Sequence, residues 1–265
     1  LKVYISADIE GVTGISNWDE THKGHEGYEI YRLQMTKEVA AACKALLEAG
    51  VTEILVKDAH EDGKNLIHEL LPKEVKIISG WSNHPLSMIE GLDESFDAAV
   101  FIGYHSGADT NGSPLKHSLN PDKIRNIQIN GEIADEFLIF AYGAYYLKVP
   151  VVAVTGDGNL IRHVRRFDSK IETVATGEGF GGALVSIHPE VAIERIYKHV
   201  KKAVEADLNQ YAIHNQKEYE LVVEFTRHED AYKYSFYPGV EQISEYSVCF
   251  KTNDYMQVLS FLLFM

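Results

Sequence analysis

The first side chains that could do chemistry stand at the start of the chain, where the apolar run in Leu1 to Gly11 (LKVYISADIEG) ends in two carboxylates. Side chains alternate along an extended segment, so Asp8 and Glu10 point to the same side. Two like charges held close are costly unless a proton, a cation or open water neutralises them. Taken alone, the pair also reads as ordinary turn and helix-start residues, because Gly11 and Gly14 follow at once. Two further apolar runs shift that balance. Val51 to Val56 (VTEILV) ends in Lys57-Asp58-Ala59-His60, and Phe96 to Phe101 (FDAAVF) leads through Ile102-Gly103-Tyr104 to His105. Each run carries a metal-competent side chain within a few residues of its end, and in open parallel sheets that edge is where ligands bind.

Of the twelve histidines, His60, His105 and His117 lie at or just beyond a strand end or its loop. The others sit in polar or exposed-looking contexts without a partner pattern, among them His22, His25 and His163, with His188 placed to start a helix at Pro189. Asp135 and Glu136 fall in the first turn of an expected helix, where carboxylates commonly just complement the helix dipole. Joined to Asp8, Glu10 and Glu136, the three histidines form an imidazole and carboxylate set without a thiolate. Such a set suits zinc, manganese or cobalt hydrolases better than structural zinc. Three carboxylates and two histidines exceed what one catalytic metal needs, so two metals sharing a carboxylate, about 3.5–4 Å apart, are the natural reading. One histidine is then left for acid and base work.

These residues need a sheet to bring them together. After the first strand, Gly11 to Gly27 reads as a loop, and Tyr28 to Ala49 has apolar residues at helical spacing with Gly50 at its stop. The strand at Val51 follows, which predicts a right-handed parallel crossover. Short elements are expected at Asn65 to Leu71, Val75 to Ile78 and Pro85 to Leu92. A strand at Ile124 to Asn130, a helix at Ile133 to Leu147 and a buried strand at Val149 to Thr155 come next. From about Arg162 the texture changes to a long helix from Pro189 to Leu208, alternating strands at Glu220 to Phe225 and Tyr246 to Phe250, and a terminal helix within Val258 to Met265. The expected fold is therefore α/β. Residues 1–165 would form a parallel-sheet domain carrying a dinuclear metal site, and residues 166–265 a smaller α+β domain.

Gly177 to Gly182 (GEGFGG) matches a dinucleotide-binding fingerprint. No strand with a ribose-binding acid follows about twenty residues on, as that fingerprint requires. A glycine-rich loop shaping an active-site wall is the better expectation.

Composition narrows the function. The chain has 265 residues, 45% of them apolar, with a mean hydropathy of -0.16, which is globular. A formal charge of -14 argues against a general nucleic-acid binder and favours small substrates or cations. Cys43 and Cys249 read as reduced, packed thiols rather than a disulfide framework. No run is long enough to span a membrane, and the chain enters a strand without a targeting pattern, so a cytoplasmic protein is the expectation. The Asn111-Gly112-Ser113 sequon carries no meaning in that setting.

DIEG at 8–11, DAH at 58–60, GYH at 103–105, His117-Ser118, the Glu136 helix and Glu224 to Gly239 occur in an order that closely resembles the zinc-dependent D-aminopeptidase family, over most of the chain. The resemblance implies two Zn2+, with Mn2+ or Co2+ as possible substitutes. It implies that Asp8 bridges the metals, that Glu10, His60, His105 and Glu136 complete the ligands, and that His117 is the catalytic histidine. It also implies a homo-oligomer, a ring-based decamer around a chamber that admits only short peptides. Two departures stand out. Thr176 to Gly182 lacks basic residues common there in the family, and Asp135 replaces a familiar glycine, adding charge near the metals.

The expected activity is hydrolysis of short peptides, with D-amino acids at the N-terminus, by a hydroxide held between the metals. His117 would donate a proton to the leaving amine or hydrogen-bond the oxyanion, and the sequence leaves both roles open. The alternatives are a metal-dependent amidase or deacylase using the same site, and a non-catalytic protein that captures peptides or metal ions there.

Overall fold

The computed structural model describes residues 1–265. Its first half alternates strands and connections: β1 (Lys2–Ala7), α1 (Tyr28–Glu48), β2 (Glu53–Asp58), β3 (Val75–Ile78), β4 (Ala98–Tyr104), β5 (Ile124–Ile129), β6 (Glu132–Ile133) and α2 (Glu136–Tyr146). It continues with β7 (Val151–Asp157), α3 (Gly158–Phe167), β8 (Glu172–Phe180), β9 (Ala183–Ser186) and α4 (Pro189–Glu205). The last elements are β10 (Tyr219–Phe225), α5 (His228–Tyr234), β11 (Val240–Gln242), β12 (Ser247–Thr252) and α6 (Tyr255–Leu263).

Seven strands form the main sheet in the order β3-β2-β1-β4-β7-β8-β9, parallel throughout except for β9, which turns back antiparallel on β8. The central strands β1, β4 and β7 are buried on both faces and read as continuous apolar runs, as parallel strands between helix layers do. Alternation along β1 shows the two layers. Val3, Ile5 and Ala7 enter a core with Met35 and Val39 of α1 and Ile196 and Val200 of α4, whereas Tyr4 faces the core of α2 and α6. No helix is long and apolar enough to cross a membrane.

A second, antiparallel sheet has the order β11-β12-β10-β5-β6. Its core face packs with α6 against α2, which explains why α2 is apolar all round: it has the main sheet on one side and α6 on the other. The two sheets interleave across residue 165. β5 and β6 supply the second sheet from before it, while β8, β9 and α4 complete the first from beyond it. A cut at 165 would separate β7 from β8, which pair from Ala153↔Glu172 to Asp157↔Gly177. The change of texture at Arg162 instead marks the polar outer face of α3, where Arg162, Arg165 and Arg166 stand out to solvent while Leu160, Ile161 and Val164 are buried.

Several elements differ in extent from their sequence pattern. Asn65 to Leu71 holds only a 3-10 turn at His68–Leu70, and Pro85 to Leu92 only one at Ser87–Ile89. The helix expected from Ile133 begins at Glu136, because Ile133 pairs with Gln128 in the second sheet.

Candidate metal centre

The topology brings the three strand ends together. β1 lies between β2 and β4 and is parallel to both, so Ala7 is in register with Asp58 and with Ile102. The chain runs outward from β1 to β3 and then returns to the other side as β4, which makes the β1/β4 edge the switch point where such sheets bind ligands. The loops leaving these strands touch backbone to backbone. Gly11 N–H donates to Gly103 O at 2.8 Å, and a Cβ on Gly11 would lie 1.7 Å from Tyr104 O. Gly103 itself has φ +73° and presses against Asp8 O. Only glycine permits that approach and that backbone.

Asp8, Glu10, His60, His105, His117 and Glu136 are all buried and converge on one space. Asp8 Oδ1 is 3.4 Å from His60 Nδ1, and its other oxygen, Oδ2, is 3.6 Å from His105 Nε2. Glu10 Oε2 lies 3.1 Å from His60 Nδ1, and Glu136 Oε2 lies 3.4 Å from His105 Nε2. Asp8 therefore belongs to two triads, with Glu10 and His60 on one side and His105 and Glu136 on the other. His117 Nε2 stands 3.9 Å from Glu10 Oε1 and 3.7 Å from Glu136 Oε1, and its ring stacks on His105 with centroids 4.2 Å apart.

The other nitrogen of each imidazole is committed to a backbone carbonyl. His60 Nε2–H donates to Thr21 O (3.1 Å), His105 Nδ1–H to Ser106 O (3.0 Å) and His117 Nδ1–H to Leu115 O (2.9 Å). A carbonyl only accepts, so these contacts assign the neutral tautomers, in which the opposite nitrogen of each ring carries the lone pair and faces the carboxylates. Metal-ligating histidines are oriented in this way. Asp8 Oδ2, Glu10 Oε2 and His105 Nε2 find no hydrogen-bond partner in the protein although they are buried. Orphaned donor atoms of nitrogen and carboxylate type, without thiolate, fit a catalytic zinc centre.

Without a metal, the charges hold one another. Burial, and then Glu10 beside it, push the Asp8 carboxyl well above the usual range. Burial also opposes charge on Glu10, but His60 outweighs it and holds Glu10 well below. In His60 and His105 burial is likewise overcome, by Glu10 and by Glu136, so both imidazoles hold protons well above the ordinary histidine range. His117 moves the other way: burial and then the neighbouring His105 lower it.

A further layer fixes these side chains. Ser106 N–H donates to Asp157 at 2.6 Å, as does the Ser106 hydroxyl, while Asp157 also caps α3. The Ser106 carbonyl that orients His105 is thereby anchored to β7. Asp58 accepts from Asn65 N–H (2.6 Å) and its side-chain amide (2.9 Å), and that amide also donates to His60 O (2.8 Å). Leu119 N–H donates to Glu136 Oε1 at 2.7 Å. Asp157 stands at the end of an apolar strand, so the pattern that singled out Asp8 and His60 would also have found it.

Two expectations are corrected. Asp135 does not add its charge to the cluster: it caps α2 through Leu138 N–H (2.9 Å) and pairs with His163 Nδ1 at 2.6 Å, which gives that histidine a partner after all. Gly177 to Gly182 forms the β8–β9 hairpin at the sheet edge rather than a wall of the site, with Glu178 held by Arg162 at 2.8 Å. The wall is built elsewhere. A cleft of about 690 Å³ opens on the cluster and is lined by Trp18, Trp81, Met88, Leu119, Pro121, Ile124, Leu262 and Met265, with His22, Glu61 and Asp122 as polar members.

Residues 1–264 match the family described as D-aminopeptidase, Peptidase_M55. The chain belongs to the D-aminopeptidase family. It is similar to the D-aminopeptidase of Bacillus subtilis (strain 168), with 37% identity over 175 residues, 66% of this chain and 63% of that protein. The chain thus spans under two thirds of the length of this family relative. The solved structure described as "Zn-dependent D-aminopeptidase DppA from Bacillus subtilis, a self-compartmentalizing protease" superposes with a TM-score of 0.91. At 29% identity, that match covers 100% of this chain and 96% of the other.

Proposed function

We propose that the protein is a zinc-dependent aminopeptidase that hydrolyses short peptides carrying N-terminal D-amino acids. The observation that carries this reading is the commitment of one nitrogen of His60, His105 and His117 to a backbone carbonyl while the other faces Asp8, Glu10 and Glu136. Family membership and the zinc dependence of the superposed enzyme support it. Asp8, Glu10 and His60 would hold one zinc ion and Asp8, His105 and Glu136 a second, because each Asp8 oxygen faces a different triad. Zinc held there supplies Lewis-acid polarisation of the scissile carbonyl and brings the pKa of water towards neutrality.

The chain's own residues do the rest. His117 donates Nδ1–H to Leu115 O, so the neutral ring presents its Nε2 lone pair to the reacting groups. It takes the proton of the attacking water there and passes it to the leaving amine. Stacking on His105 and an edge contact from Trp18, with centroids 5.1 Å apart, fix the ring. The apolar cleft walls seat the peptide and exclude bulk water. We also propose assembly into a ring-based homo-oligomer, as the superposed enzyme is called self-compartmentalizing.

Elemental analysis combined with a panel of D- and L-aminoacyl amides tests this. Two zinc ions per chain and preferential release from D-aminoacyl substrates are expected. Asp8→Ala should lose the metal, whereas His117→Ala should keep it and lose about 10²–10⁴-fold in kcat. No metal and no turnover after zinc is supplied would overturn the reading, and near-normal turnover by His117→Ala would remove that residue's role.

A further inference from the structure

Among the polar groups of the cleft that the chemistry above leaves unused, His22 and Glu61 stand beside His60. Glu61 follows His60 directly and has φ +48°, in the left-handed region that strains any residue with a Cβ. Strain of this kind persists where surrounding contacts impose it, often at functional sites. At Glu61 the Trp81 indole N–H donates to its carbonyl at 2.7 Å. The Glu61 carboxylate stands 3.5 Å from His22 Nδ1, an enclosed nitrogen without a hydrogen-bond partner, and the His22 ring stacks on Trp18. Donor atoms of His22 and Glu61 lie within 4.8 Å of each other and of a His60 ring nitrogen.

We propose that Glu61 and His22 bind the free α-ammonium group of the substrate, so that the site reads the amino terminus of a peptide. This rests on the aminopeptidase reading and names the group that makes it one. With the His22 proton on Nε2, Nδ1 is an acceptor, and an ammonium with its three N–H donors can reach it and the Glu61 carboxylate, 3.5 Å apart, at ordinary hydrogen-bond lengths. Covalent geometry places an α-nitrogen about 2.5 Å from the carbonyl carbon of its own residue. The acceptor must therefore sit next to the groups that act on that carbonyl, and Glu61 is the residue after His60. A third metal ion fits less well. His60 has one nitrogen on Thr21 O and the other on Asp8 and Glu10, which leaves two protein ligands where zinc takes at least three.

The test uses the zinc-loaded enzyme with D-alanyl anilide and with propionyl anilide, which lacks the amine. The wild type should strongly prefer the first. Glu61→Gln should raise KM for it by about tenfold or more, the loss expected for one charge-assisted hydrogen bond, with kcat changed less and zinc content unchanged. The preference over propionyl anilide should shrink by the same factor. His22→Asn should shift KM in the same direction, and Glu74→Gln, which removes an equal charge from the exposed surface outside the cleft, should leave the preference intact. Calorimetric binding of D-alaninamide reads the same contact without turnover and should weaken about tenfold in Glu61→Gln. Equal binding and equal preference in Glu61→Gln, or a third zinc ion that this variant loses, would overturn the proposal. A wild type that binds D-alaninamide through Glu61 yet hydrolyses neither anilide would overturn the aminopeptidase reading alone.

Discussion

In the proposed zinc centre, protons and metal ions would compete for the same lone pairs among Asp8, Glu10, His60, His105 and Glu136. In the metal-free protein the carboxylates hold protons on His60 and His105 well above the ordinary histidine range. A metal must displace them, so its affinity rises with pH until both imidazoles are neutral and falls as pH drops through their raised pKa values. The expected outcome is zinc affinity that weakens by up to about tenfold per pH unit for each proton displaced, read by chelator competition between about pH 6 and pH 8. A pH-independent affinity would contradict the assigned ligand atoms. At this scale the sequence was legible where a reactive side chain ended an apolar run, as at Asp8, His60 and His105. It was not legible where the partner lies far along the chain: Asp157 meets Ser106 from 51 residues away and Asp135 meets His163 from 28. No local pattern encodes such pairs.

Among the elements, the centre depends on how closely the loops after β1 and β4 approach. Gly11→Ala would thrust a methyl group into Tyr104 O and part the loop bearing Asp8 and Glu10 from the one bearing His105. A loss of stability on the order of 1–3 kcal/mol is expected, together with lost zinc, measured by thermal unfolding and elemental analysis. Gly182→Ala, where a Cβ meets nothing within 4 Å, is the control and should change neither. Long periodic elements such as α1 and α4 could be read from sequence because one buried stripe dictates them. The GEGFGG segment could not, because Gly177 and Gly179 serve close contacts, such as Gly179 against Gly112, and Gly181 the hairpin turn, rather than a phosphate cradle. β9 and β11, of four and three residues, are too short to show a period.

For the molecule as a whole, interleaving of the two sheets joins the carboxylate and histidine cluster and the cleft wall, since Leu262 and Met265 come from the last residues and Asp8 from the first strand. That arrangement was illegible in sequence because β5, which carries β6 at its other edge, pairs with β10 about ninety residues later. The proposed assembly predicts a light-scattering mass that is a multiple of 29.8 kDa, ten chains for a ring-based decamer. A monomer would remove the enclosed chamber as the reason for selecting short peptides. The cleft also fixes an optical property. The chain has two tryptophans, Trp18 and Trp81, and both line that cleft, one against His22 and His117 and the other under the Lys57 ammonium. All indole emission from the protein therefore originates at the walls that would seat the peptide, which makes the unlabelled enzyme its own fluorescent reporter of occupancy.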